Sequence, residues 1–341
     1  MRRYRRSQGG RTGMTQMNGK RTALLAAAAL CSLAAGSVAW GQAAAPPPPP
    51  GPVAEAHKAA AVKIAGARYH EAALHQCGGR PGIPAANRAI TLAPARVFDN
   101  LYYVGLGWVG AWAVNTSDGV VLIDTLNSIK DVEETIVPGL KAYGLDPARV
   151  RYVILTHNHA DHVSGARYFV DRYKTRVIAA GPEWDLMEKA TLRPGQDPPP
   201  RRDLTLVDGQ TLKVGDTPFT FILTPGHTPA STSIIFPSTD DAGKKHMVAL
   251  VGGVTAQPTI ASQQLAYDGL EHLLAFSKAN HVDVELVDHP HVDDSLQLLQ
   301  TAAVRKKGDP NGFIVGEAGF QSFLGMLREC YLSNIANLEH K

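Results

Sequence analysis

Acidic side chains are missing from the start of this 341-residue chain: no aspartate or glutamate precedes Glu55, while seven arginines and lysines lie between Arg2 and Arg21. Removing those seven positive charges from the formal net charge of +3 leaves the remainder at −4. The basic sequence pI near 8.7 therefore belongs to the leader and is no argument for nucleic-acid binding. Cysteine is scarce too, with only Cys31, Cys77 and Cys330. No internal repeat is visible.

The basic leader passes into the apolar run Thr22–Ala39, which exits through the small residues Ser37 and Ala39. That order is the anatomy of a secretory signal peptide. An uncleaved anchor is the alternative, since about 18 apolar residues is near the lower limit for crossing a bilayer. Cys31 follows Leu30, where a lipoprotein signal would have a small residue. The proline run in "AAAPPPPPGP", Ala43–Pro52, reads as a stiff, solvated spacer. The expected organisation is a signal peptide and the start of a Pro-rich linker over 1–45, linker and N-terminal extension over 46–96, and one folded domain over 97–341. An exported chain is periplasmic or secreted, and an oxidising compartment permits a Cys77–Cys330 disulfide, with two buried free thiols as the alternative.

At 44% apolar residues the chain can bury a large core. From Val97 onward, strand-like runs ("LYYVG", "GAWAVNTSDGVVLID", "VRYVIL") give way to helical periodicity near 129–143, 163–173 and 183–190. After the loop "RPGQDPPPRRD", strands resume through "LTLVDGQTLKVGDTPFTFILT", "STSIIFP" and "HMVALVG". Helical patterns near 263–278, 294–305 and 320–338 close the chain, with the strand "VDVELV" among them. Each half could supply a sheet with helices on its outer face.

Chemistry concentrates in "ILTHNHADHVSG", Ile154–Gly165. His157 and His159 are two apart in an extended segment leaving a strand, so they project to one side and can share a metal ion. Asp161 and His162 enter the next helical turn and are placed for a second ion close by. A zinc site needs three or four N, O or S donors. His227, in "LTPGHTPAS" just beyond a strand, supplies a third donor for the first site. "VDVELVDHPHVDD" offers His289, nearest the strand end, with His291 as its competitor. Three protein ligands per ion leave positions open for water, which marks a catalytic rather than a structural site. A hydroxide held between two zinc ions is a nucleophile near neutral pH, and zinc polarises the carbonyl it attacks.

"THNHADH" followed by "TPGHTPASTS" and a strand-end histidine resembles the metallo-β-lactamase superfamily over about 97–330. The resemblance implies an α/β fold, a four-layer αββα sandwich with a di-zinc site at one edge of the two sheets. Its ligand sets are His157, His159 and His227 for one ion and Asp161, His162 and His289 for the other, with Asp161 also orienting the hydroxide. Asp124, at the end of "GVVLID", takes the role of a residue that orients the metal loop. Glyoxalase-type thioesterases of the superfamily carry an aspartate bridging both metals on the strand that here reads "MVALVGGVT", where no carboxylate stands. No cysteine lies between Cys77 and Cys330 to serve a Cys-containing second site. What remains resembles the B3-type enzymes and their secreted relatives, which implies Ser231 and Ser233 as substrate-carboxylate contacts. Trp108, Trp112 and Trp184 are candidate groove aromatics, each more readily read as core. The expected activity is opening of a β-lactam. A lactone or other ester is the alternative, and a zinc-binding protein without turnover is a third reading. The expected partner is a small molecule, with no nucleic acid and, once the signal is cleaved, no membrane; the oligomeric state is left open.

Overall fold

Branched and aromatic runs in the middle of the chain form two sheets whose most central strands are largely buried on both faces, so those sequences read as near-continuous apolar stretches. The computed structural model describes residues 49–78, 85–293 and 295–340; the proposed signal peptide lies outside them. The first sheet runs in the order β1 (Ala95–Phe98), β2 (Leu101–Tyr103), β3 (Trp112–Thr116), β4 (Gly119–Ile123), β5 (Val150–Ile154), β6 (Arg176–Ala180) and β7 (Leu204–Leu206). It is antiparallel as far as β4 and parallel from there to β7. The second comprises β8 (Thr211–Val214), β9 (Thr217–Leu223), β10 (Thr232–Thr239), β11 (Lys245–Val251) and β12 (Val282–Val287), with β12 parallel to β11 and the rest antiparallel.

Side chains alternate between faces along each strand. Val121, Ile123, Phe219, Phe221, Phe236, Val248 and Leu250 fill the layer between the sheets. Val120 and Leu122 point the other way, onto helices bearing Ile136, Leu140, Phe169 and Trp184. Ile222, Ile235 and Ala249 likewise meet helices bearing Leu270, Leu273, Phe320, Phe323 and Leu327. The result is the αββα sandwich that the resemblance implies and with which the order of elements agrees. Trp112 and Trp184 belong to this packing: their Nε1–H groups donate to the Val287 and Leu204 carbonyls, so neither lines a groove.

Folding begins well before Val97, which corrects the sequence-based boundary. Helices Pro52–Ala65 and His70–Gln76 pack against the C-terminal helix Gly316–Glu339, burying Ala61, Tyr69 and Ala73. The Tyr69 hydroxyl donates to Glu285 Oε2 at 2.6 Å, and the Ser333 hydroxyl to the Ala54 carbonyl. The segment reads as a linker because its contacts are made by alanines at 54, 61 and 65, a narrow stripe that lets helix axes approach without large apolar residues. Cys77 and Cys330, both buried, are joined in a disulfide that ties the second helix to the last across 253 residues of sequence. Among the described residues no helix is long and apolar enough to cross a membrane.

Closing so long a loop constrains the unfolded chain. Replacing both cysteines by alanine should lower the unfolding free energy by about 2–4 kcal/mol, read as a fall in the denaturation midpoint, with m rising because the released unfolded chain exposes more surface. An unchanged midpoint would mean that the sulfurs only fill space.

Candidate metal centre

Four of the five clustered imidazoles leave the ends of strands. His157 and His159 follow β5, His227 follows β9 and His289 follows β12, so the two sheets deliver donors to one edge. Asp161 and His162 ride on the short helix Ala160–Val163, of which His159 is the N-cap. Two close approaches hold the loop. The Thr125 N–H and hydroxyl both donate to the His162 carbonyl, and a Cβ at Gly165 would lie 2.1 Å from the Thr125 oxygen, so only glycine fits there. Gly226, before His227, has φ of +126°, a backbone region that L side chains rarely adopt.

Three clusters of donor atoms result: His157–His159–His227, Asp161–His162–His289, and a fully buried set of His157, His162 and Asp288. His159 Nδ1 lies 3.0 Å from His227 Nε2, and His162 Nε2 lies 3.1 Å from His289 Nε2. Asp161 Oδ2 is 3.8 Å from His162 Nε2 and 3.7 Å from His289 Nε2. The far side of most rings is committed. His162 Nδ1 faces Asp124 Oδ2 at 2.7 Å, His227 Nδ1 faces the Thr255 carbonyl at 2.6 Å, and His289 Nδ1 faces the Trp108 carbonyl at 2.7 Å. Each Nδ1 therefore carries the hydrogen, and each Nε2 of a neutral ring points a lone pair inward. Two inward ring nitrogens about 3 Å apart call for a proton or a metal cation between them, and a bound metal satisfies both pairs. His157 Nε2 makes the same point, because it is buried and has no hydrogen-bond partner. Two nitrogens about 2.1 Å from a shared tetrahedral ion stand about 3.4 Å apart, so the observed spacing suits a metal with little adjustment.

Asp124 anchors this arrangement. It sits at the end of β4 with φ of +61°, a strained setting for a residue other than glycine. Its Oδ1 accepts the Thr156 N–H and its Oδ2 accepts the Thr156 hydroxyl, whose oxygen is 3.0 Å from His157 Nδ1. One carboxylate thus holds His162 directly and His157 through Thr156.

Electrostatics divide the clusters. Burial pushes His157 well below its usual value, with neighbouring imidazoles adding to the effect; burial and His227 bring His159 down to about 4, and burial also lowers His227. Burial would lower His162 as well, but Asp124 and Asp161 outweigh it and raise the ring to about 9. Asp161 feels burial in the opposite sense, yet His162 and His289 hold it below the usual carboxylate range. Its side chain and that of His289 remain partly open, at 21% and 14% exposure, which places a mouth on this side.

The structure brings together His157, His159, Asp161, His162, His227 and His289, with Asp124 behind them. His291 stays outside every donor cluster, its ring 5.2 Å from that of His289 and 5.3 Å from that of His75. Ser231 and Ser233 must be corrected as substrate contacts. Both are fully buried, Ser231 bonded to the Thr228 N–H and hydroxyl and Ser233 to the Thr224 hydroxyl. Thr232 between them is equally buried, so the whole stretch lies inside the protein rather than at the mouth. Trp108 does reach the site, through its carbonyl and with its ring 6.3 Å from that of His289. Asp288 was missed. It is buried, accepts the Gly253 N–H at 2.7 Å and stands 3.7 Å from His157 Nδ1; its place next to His289 was the available signal. Gly252 cannot be exchanged for a carboxylate in place, since a Cβ there would lie 2.4 Å from the Thr232 carbonyl oxygen.

With no ion bound, the opposing shifts set a stability optimum. Below about pH 6.5 unfolded histidines take up protons that His157, His159 and His227 refuse when folded, so stability falls toward pH 4. His162 behaves in reverse: its contribution is complete below pH 6.5 and is lost as pH rises through about 9. Metal-free protein should therefore melt highest at about pH 6–7, and zinc added at pH 7.5 should expel about one proton per chain, from His162. Thermal melts across pH 4.5–9.5 and an indicator-dye titration check both, and a monotonic melt profile would contradict the assignment.

Residues 109–242 match the family model described as the metallo-beta-lactamase superfamily. Among curated proteins the chain is similar to hydroxyacylglutathione hydrolases of Acidiphilium cryptum (29% identical over 126 residues, 37% of this chain and 44% of the relative) and Mesorhizobium japonicum (33% over 106 residues, 31% and 36%). It thus spans less than half the length of either. Among solved structures it is similar to a subclass B3 metallo-beta-lactamase of Bradyrhizobium japonicum, at 24% identity and TM-score 0.61 over 74% of this chain and 97% of that one. It also resembles the metallo-beta-lactamase GOB-18 from Elizabethkingia meningoseptica, at 20% identity and TM-score 0.60 over 77% and 98%. Residues 109–242 thus match the metallo-beta-lactamase superfamily model, and the chain has the metallo-beta-lactamase fold.

Proposed function

We propose that the protein is a di-zinc hydrolase that opens a β-lactam ring. The observation that carries this reading is the pair of three-donor clusters at one sheet edge, His157–His159–His227 and Asp161–His162–His289, each with fewer protein donors than a closed zinc site. Imidazole-rich donor sets with one carboxylate suit zinc. When bound, the ions supply a water nucleophile at neutral pH and polarise the carbonyl under attack. The chain's own residues do the rest. Asp161, ionised at neutral pH and partly open to solvent, accepts a hydrogen bond from the attacking water and orients it. Asp124 and Thr156 fix the rings of His162 and His157, and the carbonyls of Thr255 and Trp108 fix those of His227 and His289.

A second reading keeps the site and makes the substrate a lactone or another ester; it draws support from the hydroxyacylglutathione hydrolase relatives. Against a bridging aspartate of the glyoxalase kind stands the crowding at Gly252. We further propose a periplasmic or secreted location, supported by the basic and apolar leader and by a disulfide suited to an oxidising compartment. The partner is a small molecule rather than nucleic acid or membrane.

Protein lacking residues 1–45 should hydrolyse a chromogenic cephalosporin, lose that activity to a chelator and regain it with zinc, and His227→Ala should abolish it. Turnover confined to a lactone panel would move the substrate to the second reading. Tight zinc binding with no turnover of either would favour a binding protein instead.

A further inference from the structure

The helix Gly181–Lys189 follows β6, and Glu183 lies in its first turn, where a negative charge is favoured by the helix dipole. Its carboxylate is fully buried yet touches no donor atom of the candidate metal centre. What it touches are the two loops that carry those donors. Oε2 accepts the N–H of Asn158, the residue between His157 and His159, at 2.9 Å. Oε1 accepts the Thr228 hydroxyl at 2.8 Å and the Ala230 N–H at 2.7 Å, both just after His227. One loop leaves the first sheet and the other leaves the second. Burial pushes the carboxyl above its ordinary value, and the bonds from Thr228, Ala230 and Asn158 oppose that push.

We propose that Glu183 is a positioning residue that clamps the His157–His159 loop to the His227 loop and so sets the affinity of the first metal cluster. This rests on the reading that His157, His159 and His227 share an ion. Three donors converge on two oxygens, and all three are satisfied only by an acceptor-only group. In Glu183→Gln the amide oxygen can still serve Thr228 and Ala230, but its NH2 then opposes the Asn158 N–H. Two donors cannot face one another in a buried space, so the His159 side of the clamp opens while the His227 side holds. A carboxylate that merely stabilised the fold would weaken both clusters alike.

The test measures zinc affinity by chelator competition in two backgrounds. His289→Ala retains the His157–His159–His227 cluster, and there Glu183→Gln should weaken zinc about 10–100-fold, the usual range for loss of a partner that orients a ligand. His227→Ala retains the Asp161–His162 side, and there the same change should alter affinity less than about threefold. Thr228→Val, a milder change that removes one of the three bonds, should act in the same direction as Glu183→Gln in the first background, should that variant not fold. Circular dichroism and cooperative unfolding of the metal-free variants establish that each is folded. Equal losses in both backgrounds, or no loss in the first, would overturn the clamp while leaving the metal reading intact. If the His289→Ala parent binds no zinc, both fail together.

Discussion

Buried ring nitrogens about 3 Å apart must share either a proton or a metal cation, and much of this structure is arranged to bring them that close. The pairs His159–His227 and His162–His289 each join a donor from one sheet's loops to a donor from the other's. The αββα sandwich supplies that juxtaposition because its sheets stack with their strand ends at a common edge. Its core of branched and aromatic residues keeps the edge rigid without contributing an atom to the chemistry.

Around the donors runs a layer of acceptors that leaves most rings little orientational choice. Asp124 serves two rings at once, directly and through Thr156. Its left-handed backbone, shared with Leu126, shows that the turn after β4 is held by its surroundings rather than by its own preference. Backbone carbonyls at Thr255 and Trp108 do for His227 and His289 what Asp124 does for His162. The difference is charge, which explains why His162 is raised while His157, His159 and His227 are depressed.

The N-terminal helices show how far support for the fold can lie from recognisable pattern. Alanine-rich helix faces carry little apolar signal, yet they seat Tyr69 on Glu285 of the strand that leads to His289. The disulfide closes the same corner. Periodicity found the large-residue helices that cover the sheets and overlooked this layer, because close packing of small residues leaves no trace in hydrophobic spacing.

The sequence by itself determined the donor types, their spacing within "THNHADH" and the position of each histidine just beyond an apolar run. Those are local features, set by strand alternation and by the start of the next helix. Tertiary structure decided the rest. It separated His289 from His291, two residues apart in one loop, by which ring faces His162. It buried Ser231 and Ser233 together with Thr232 between them, because both faces of that stretch are covered by the protein. It also brought Asp288, Thr255 and the Trp108 carbonyl behind the donors, since a ring's orienting partner need only be close in space and leaves no pattern along the chain.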